Sequence, residues 1–159
     1  QGGMGLILKK LLLLVENDYD IALIDCPPVL GVLMVNALAA SDHIIVPVQT
    51  EFLAIKGLDR MIKTMILMGR TKKTQYSFTI VPTMYDRRTK ASSAALQELS
   101  QKYGEQLWPD VIPVDTKFRD ASLAHLPASH FAANSRGTKA YERLLECLLT
   151  GALPHVKLS

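Results

Sequence analysis

Short apolar runs without polar alternation recur along this chain, and they limit its fold more than any other feature. They occupy residues 21–25, 44–48 and 78–81, and a shorter fourth run occupies residues 111–114. A continuous apolar run is typical of a parallel strand that is buried on both faces. The first run ends in Asp25 and is stopped by two prolines. The sequence therefore predicts four strands of a mostly parallel sheet.

Helix patterns separate these runs. From Leu53 to Met68, apolar residues recur at helical spacing with charged residues on the other side. A weaker pattern ends at Tyr103, with Thr89 or Ser92 as the capping residue. A last helix follows Gly137. Strand and helix in turn predict an α/β fold, a mostly parallel β-sheet flanked by helices on both faces, within a single domain over residues 1–159.

Composition is that of an ordinary globular protein, with 159 residues, 48% hydrophobic and 21% charged. This excludes disordered and disulfide-scaffold classes. The most apolar stretch, Leu6–Val15, carries two lysines and is too short to span a membrane, so we expect a core helix there. Cys26 and Cys147 lack metal-type spacing, which favours a reduced, cytoplasmic protein. The chain begins with Gln, and we expect it to be a fragment of something longer.

Charge is unevenly distributed. Residues 56–102 contain ten basic and three acidic side chains, a net charge of +7, whereas the whole chain has a formal charge of +3. Such a basic region indicates binding to nucleic acid or another polyanion. A set of solvated helix faces explains the same composition equally well, and the two interpretations stay open on charge alone.

The ends of the predicted strands are the first places to seek chemistry, because ligands of such sheets bind beyond the carboxyl ends of the strands. Asp25 ends a predicted buried strand, where a carboxylate is costly unless it is paired or lies near a metal ion. In nucleotide hydrolases an acid at this position holds Mg²⁺ beside the phosphates. The alternative is an acid that caps the next helix.

Several segments resemble, in the same order, the ParA/MinD family of deviant Walker ATPases. The first is similar to the family's Walker B and switch segment, and the resemblance extends from about residue 19 to 149. It implies a nucleotide-dependent dimer that positions DNA or another large cargo. The matching segments are Tyr19–Pro28, Asn36–Asp42, Val46–Glu51, Met84–Thr89, Val111–Pro113 and Ser135–Tyr141.

This resemblance assigns nucleotide-binding roles by position. Asp25 is the catalytic acid on the side of Mg²⁺, which it holds through water. Thr83, Met84, Pro113 and Asp115 fall where the family lines the adenine pocket. The cofactors implied for the full-length protein are therefore ATP and Mg²⁺.

The resemblance also implies partners. Gln49 and Glu51 lie at a strand end that faces the expected homodimer interface. Arg88 and Lys117 match positions where DNA-binding members carry basic residues. The stretch after Pro113 departs from the common form, which has Arg-Asn after the proline. From Arg88 and Lys117 we expect non-specific DNA as a partner, and from the family a ParB-like, hydrolysis-stimulating protein. The departure after Pro113 keeps polar cargo positioning open.

The family's phosphate loop, Lys-Gly-Gly-x-Gly-Lys-Thr, does not occur in this chain. Gln1–Gly5 imitates its first half, but the lysine and the hydroxyl residue that should follow are missing. We interpret Gln1–Gly5 as a turn before a helix. We expect the true loop upstream of residue 1. We therefore expect the chain to be the C-terminal part of a single ParA-type nucleotide-binding domain.

These observations leave three alternative functions. The first is a ParA-type partitioning ATPase that positions a chromosome, a plasmid or a polar assembly such as a chemotaxis array, in the cytoplasm at the nucleoid or a pole. The second is a MinD-like, membrane-cycling ATPase, but the tail after Thr150 is broken by Gly and Pro, so we expect no membrane binding. The third is a non-enzymatic protein-interaction scaffold, since this chain alone should not hydrolyse ATP.

Overall fold

A parallel βαβ unit forms the centre of the computed structural model, which describes residues 6–27, 31–72, 76–154 and 156–157. Strand β1 (Ile44–Gln49) and strand β2 (Ser77–Thr83) are joined by helix α3 (Phe52–Lys72). The strands pair in parallel from Ile44 opposite Phe78 to Gln49 opposite Thr83. The predicted second and third strands and the helix between them are confirmed.

The remaining elements complete two helical layers and a short third strand. Strand β3 pairs with β2 in the antiparallel direction, which gives the order β1-β2-β3. These elements are α1 (Ile7–Leu13), α2 (Val32–Ala40), α4 (Lys90–Tyr103), α5 (Lys117–Leu123), α6 (Ala128–Phe131), α7 (Arg136–Leu149) and β3 (Val156–Lys157). The predicted fold class, a mostly parallel sheet with flanking helices, is confirmed.

The core lies on both faces of β2. One cluster joins Phe78 and Ile80 to α3 and to Leu99 of α4. The other joins Val81 to Trp108 and to Leu144 of α7. Side chains of one strand alternate between the faces of a sheet, and both faces of β2 are covered, so its residues 78–82 are all buried. This explains the unbroken apolar run in the sequence.

The prediction of a strand at Ile21–Asp25 is wrong. Residues 21–27 have no regular secondary structure, and the side chains of Ile21 and Leu23 are 51% and 84% exposed. A strand requires hydrogen bonds from a neighbour, and within the described residues the only partner of β1 is β2. The apolar run therefore finds no sheet position here.

Two further expectations need correction. Leu6–Val15 contains helix α1, but none of the helix residues is buried, so it is not a core helix. It contacts α2, where the Asn36 side-chain oxygen accepts hydrogen bonds from the Ile7 and Leu8 amides at 3.0 and 3.3 Å. Residues 111–114 form no strand. Pro113, which lacks an N–H group, makes only an isolated parallel bridge with Tyr85.

Candidate functional site

The carboxyl ends of β1 and β2 lie side by side. Gln49 is opposite Thr83 in the parallel register, and the Thr50 amide donates a 3.0 Å hydrogen bond to the Thr83 carbonyl. Met84 follows with a left-handed backbone (φ 54°) and a 47% exposed side chain. A left-handed backbone is uncommon for a residue other than glycine. The chain therefore turns sharply at the point where β2 ends.

The segment around Pro113 lies against this turn. The Tyr85 amide donates to the Ile112 carbonyl at 3.1 Å, and the Val114 amide donates to the Tyr85 carbonyl at 3.0 Å. Three of the four residues predicted for the adenine pocket, Thr83, Met84 and Pro113, are thus brought to one edge of the sheet. Their role in nucleotide binding stays a prediction.

Asp115, the fourth predicted residue, holds the start of α7. Its Oδ2 accepts a 2.8 Å hydrogen bond from the Gly137 amide, and its Oδ1 accepts one of 3.0 Å from the Lys117 amide. These bonds, with that to Gly137 the stronger cause, lower the pKa of the Asp115 carboxyl below its usual value. The carboxylate therefore joins the starts of α5 and α7, and each of its oxygens accepts a backbone hydrogen bond.

A buried hydroxyl pair, which the sequence did not single out, ties the site together. The hydroxyl oxygens of Thr50 and Ser92 lie 2.6 Å apart, and both residues are buried. The Ser92 oxygen also accepts a 3.1 Å hydrogen bond from the Asp86 amide. The helix cap is Thr89, whose hydroxyl accepts from the Ser92 amide at 3.3 Å. Ser92 therefore bridges β1 to the loop after β2.

Arg88 lies on that loop and is paired with Asp86. The guanidinium donates through Nε to Oδ1 at 2.9 Å and through Nη2 to Oδ2 at 2.8 Å. The hydrogen bond from this side chain is the main cause that lowers the pKa of the Asp86 carboxyl to about 2. The Arg88 side chain is nevertheless 80% exposed. A large anion that binds through the same two nitrogens must displace this carboxylate.

Lys117, the second predicted DNA contact, begins α5 and is also paired. Its ammonium lies 3.0 Å from Asp120 Oδ2, three residues along the same helix, and both side chains are about half exposed. Beside it, an open groove of about 570 Å³ runs past Ser135 and Arg136 at the start of α7. The groove is lined by the basic side chains of Lys117 and Arg136 and also by the Asp115 carboxylate.

Gln49 and Glu51, predicted for the dimer interface, are exposed on either side of buried Thr50. The Glu51 carbonyl accepts a 3.2 Å hydrogen bond from the Ile55 amide and so belongs to the first turn of α3. Phe52 follows with an exposed ring, and the Lys56 ammonium lies 5.2 Å from the ring centroid. This corner of the fold is open to a partner, and its use in a dimer stays a prediction.

Asp25 lies in the irregular segment and its side chain is exposed. The neighbouring Cys26 thiol donates to the Pro27 carbonyl at 3.6 Å and packs against the core, which anchors the end of the segment. Pro28 and Gln1–Gly5 lie outside the described residues. Within the described part of the chain, no three His, Cys, Asp or Glu side chains form a metal-binding group.

The described residues fit only part of an ATP–Mg²⁺ complex. Thr83, Met84 and Pro113 lie together at one edge of the sheet, and the exposed Asp25 carboxylate has oxygens of the kind that Mg²⁺ prefers. The phosphates need glycine amides and a lysine, and the sequence has no Lys-Gly-Gly-x-Gly-Lys-Thr segment to supply them. These 159 residues therefore do not by themselves supply the phosphate contacts of an ATP-hydrolysing site.

Comparison with known proteins gives one consistent picture. Residues 2–79 match the sequence profile of an AAA domain. The chain is 36% identical over 140 residues to the chromosome-partitioning ATPase Soj of Treponema pallidum, which covers 87% of this chain and 55% of that protein. It is 33% identical over 135 residues to the sporulation initiation inhibitor protein Soj of Bacillus subtilis, covering 84% and 53%.

A solved structure supports the fold. Cobyrinic acid a,c-diamide synthase from Mycobacterium smegmatis, with a bound ATP analogue and magnesium, matches with a TM-score of 0.75 and 27% identity over 100% of this chain and 59% of that one. The chain spans about half the length of the curated relatives it matches. Over the described residues, no helix is long and apolar enough to cross a membrane.

Proposed function

Because the chain belongs to the ParA/MinD family of deviant Walker ATPases, we propose that it is part of a partitioning ATPase. The full-length protein would position a chromosome, a plasmid or a polar cargo through an ATP-dependent dimerisation cycle. The observation that carries this proposal is the 36% identity to a chromosome-partitioning ATPase along most of the chain. We treat residues 1–159 as the C-terminal part of one nucleotide-binding domain.

In this proposal the sheet edge supplies the base side of the nucleotide site. Thr83 and Met84 follow β2, and Pro113 lies beside them through its bridge to Tyr85. Asp115 acts indirectly on this side of the nucleotide site. Its carboxylate accepts a hydrogen bond from the Gly137 amide and so holds the start of α7 against the segment that follows Pro113. Asp25 holds Mg²⁺ through a bound water, and the metal supplies charge neutralisation beside the phosphates when it is bound.

The remaining predicted residues face partners. Gln49 and Glu51 contribute to the homodimer interface beside the exposed Phe52 ring. Arg88 and Lys117 contact DNA phosphates, and since phosphates carry no sequence information, binding is non-specific. A ParB-like protein stimulates hydrolysis. The protein acts in the cytoplasm, at the nucleoid or a cell pole.

Turnover of the full-length protein tests the role of Asp25. Asp25→Ala should lower the ATP hydrolysis rate at least about a hundredfold, because losing several kcal/mol of charge stabilisation near the metal raises the barrier. Asp18→Ala is the matched control, since Asp18 is an exposed acid seven residues upstream in the same part of the chain. Near wild-type turnover of Asp25→Ala would remove Asp25 from the site.

A second candidate is a non-enzymatic interaction scaffold. It applies to these 159 residues taken alone, whose sequence holds no phosphate-loop segment. Calorimetric titration of this chain with ATP–Mg²⁺ separates its own behaviour from that of the full-length protein. We expect no micromolar binding by the chain alone. ATP-dependent DNA binding by the full-length protein would favour the partitioning ATPase, and its absence would favour the scaffold.

A further inference from the structure

We propose that Asp86 is an intramolecular competitor of DNA: it occupies the guanidinium of Arg88 until a nucleic-acid phosphate displaces it. This inference rests on the proposed DNA contact of Arg88. It adds a regulatory residue, because Asp86 then sets how strongly that contact binds.

The pairing has the geometry with which arginine binds phosphate. Two guanidinium nitrogens of Arg88 reach two oxygens of Asp86, at 2.9 and 2.8 Å. Arginine makes the same two-pronged contact with carboxylates and with phosphates. A guanidinium cannot make both contacts at once through the same two N–H groups. A phosphate that takes these two N–H groups must replace the carboxylate, and a phosphate that approaches the remaining N–H groups meets the negative charge of Asp86.

The structure fixes the carboxylate and leaves the arginine exposed. The Asp86 amide donates to Ser92 Oγ at 3.1 Å, and the Asp86 carbonyl accepts from the Thr89 amide and hydroxyl, each at 3.1 Å. Through Ser92 the loop is joined to buried Thr50 at the end of β1. Asp86 is thus held at the sheet, whereas the Arg88 side chain can swing away from it.

The competitor is charged under all ordinary conditions. The pKa of the Asp86 carboxyl is lowered to about 2 by its hydrogen bonds from Arg88. A change of pH between 5 and 9 leaves the carboxylate ionised, so protonation does not release Arg88 in that range.

The other predicted DNA contact differs in kind. Lys117 makes a single 3.0 Å contact to Asp120, and both side chains are about half exposed within one short helix. This pair lacks the two-pronged geometry of the Arg88–Asp86 pair. Competition by a fixed carboxylate therefore distinguishes Arg88 from Lys117.

A double-mutant cycle tests this proposal. Full-length protein with ATP and Mg²⁺ is titrated with a fluorescently labelled random-sequence DNA duplex at several salt concentrations. Asp86→Asn keeps an oxygen that can accept from the Arg88 amide but removes the charge. We expect Asp86→Asn to tighten DNA binding about two- to fivefold, the range of one exposed ion pair. In an Arg88→Ala background, Asp86→Asn should change the affinity little.

The control removes a similar charge elsewhere. Asp110 lies 2.7 Å from Arg143 Nε, so Asp110→Asn also frees an arginine and changes the net charge by the same amount. An equal gain from Asp110→Asn, or an undiminished gain in the Arg88→Ala background, would overturn the competition.

Failure of the competition is distinguishable from failure of the DNA contact. If Arg88→Ala weakens binding but Asp86→Asn leaves it unchanged, the competition is wrong and the contact stands. If neither the unaltered protein nor Asp86→Asn binds DNA, both are wrong. An Arg88 Nε–H resonance that exchanges slowly in the free protein, and rapidly in Asp86→Asn, would support the pairing independently of DNA.

Discussion

Gly137, in the first turn of α7, is a position where one added methyl group should destabilise the fold. A Cβ there would overlap Cζ of the Phe118 ring, lie 2.6 Å from its Cε2 and lie 3.0 Å from the Asp115 Cβ. Phe118 packs against the core cluster of α7 and meets the Tyr141 ring edge-on, with centroids 5.7 Å apart. The ring can make room for the methyl group only by giving up these contacts.

The expected size follows from two opposing effects. Forcing an extra methyl group into a packed site costs about 1–3 kcal/mol. Replacing glycine by alanine in a helix returns at most about 1 kcal/mol. Gly137→Ala should therefore lower the free energy of unfolding by about 1–2 kcal/mol, and we expect the melting temperature to fall by about 2–8 °C.

Gly57 provides the matched control. It is an exposed glycine within α3, and a Cβ added there would meet nothing within 4 Å. Gly57→Ala should stabilise the protein by about 0.5–1 kcal/mol. Thermal and urea unfolding followed by circular dichroism measure both variants. If Gly137→Ala melts at or above the unaltered protein, then Phe118 has space that the structure does not show, and the reasoning fails.

Two further predictions concern the polar groups of the site. Ser92→Ala should lower the free energy of unfolding by about 1–3 kcal/mol, because it leaves the Asp86 amide without its acceptor. The control, exposed Ser93→Ala, should lower it by less than about 0.5 kcal/mol in the same urea titration. Equal losses would contradict the role of Ser92. Asp115 has a lowered pKa, mainly through the Gly137 amide, so its stabilising contribution is present above the carboxyl pKa of the unfolded chain and is lost as pH falls through the folded value. The stability lost by Asp115→Asn should therefore be larger at pH 7 than at pH 3, and a pH-independent loss would refute this.

Sequence periodicity predicted burial correctly where neighbouring elements cover the apolar side chains. This holds for β2, whose apolar run is buried, and the helical spacing of α3 coincides with its buried side chains. In β1 only Val46 and Val48 are buried, and Pro47 between them is exposed. In α7 the apolar residues Tyr141 and Leu145 are about half exposed. The same signal failed at Ile21–Asp25, because hydrophobicity records what a segment is suited to contact and not whether the contact is made. The prediction of a core helix at Leu6–Val15 is wrong for the same reason.

The site was predictable only in part. Strand-end positions located Thr83 and Met84, and Pro113 lies beside them through an isolated bridge to Tyr85 and not as the end of a strand. Nothing in the sequence indicated that Ser92 bridges β1 to the next loop, because a serine inside a helix pattern has no distinguishing neighbours. A signal was available for Asp86: an acid two residues before an arginine after a strand is well spaced for a turn that pairs them.

The chain's final residues have a practical consequence for following the protein in cells. Leu153 is buried, Thr79 inside the sheet donates a 3.0 Å hydrogen bond to the Pro154 carbonyl, and β3 pairs with β2. A fluorescent protein fused directly after Leu153 would take the place of Pro154 and β3. The hydrogen bond from Thr79 and the pairing with the edge of β2 would then be lost. The exposed corner between α5 and α6, at residues 123–127, is a better place for an inserted peptide tag or a cysteine-linked dye.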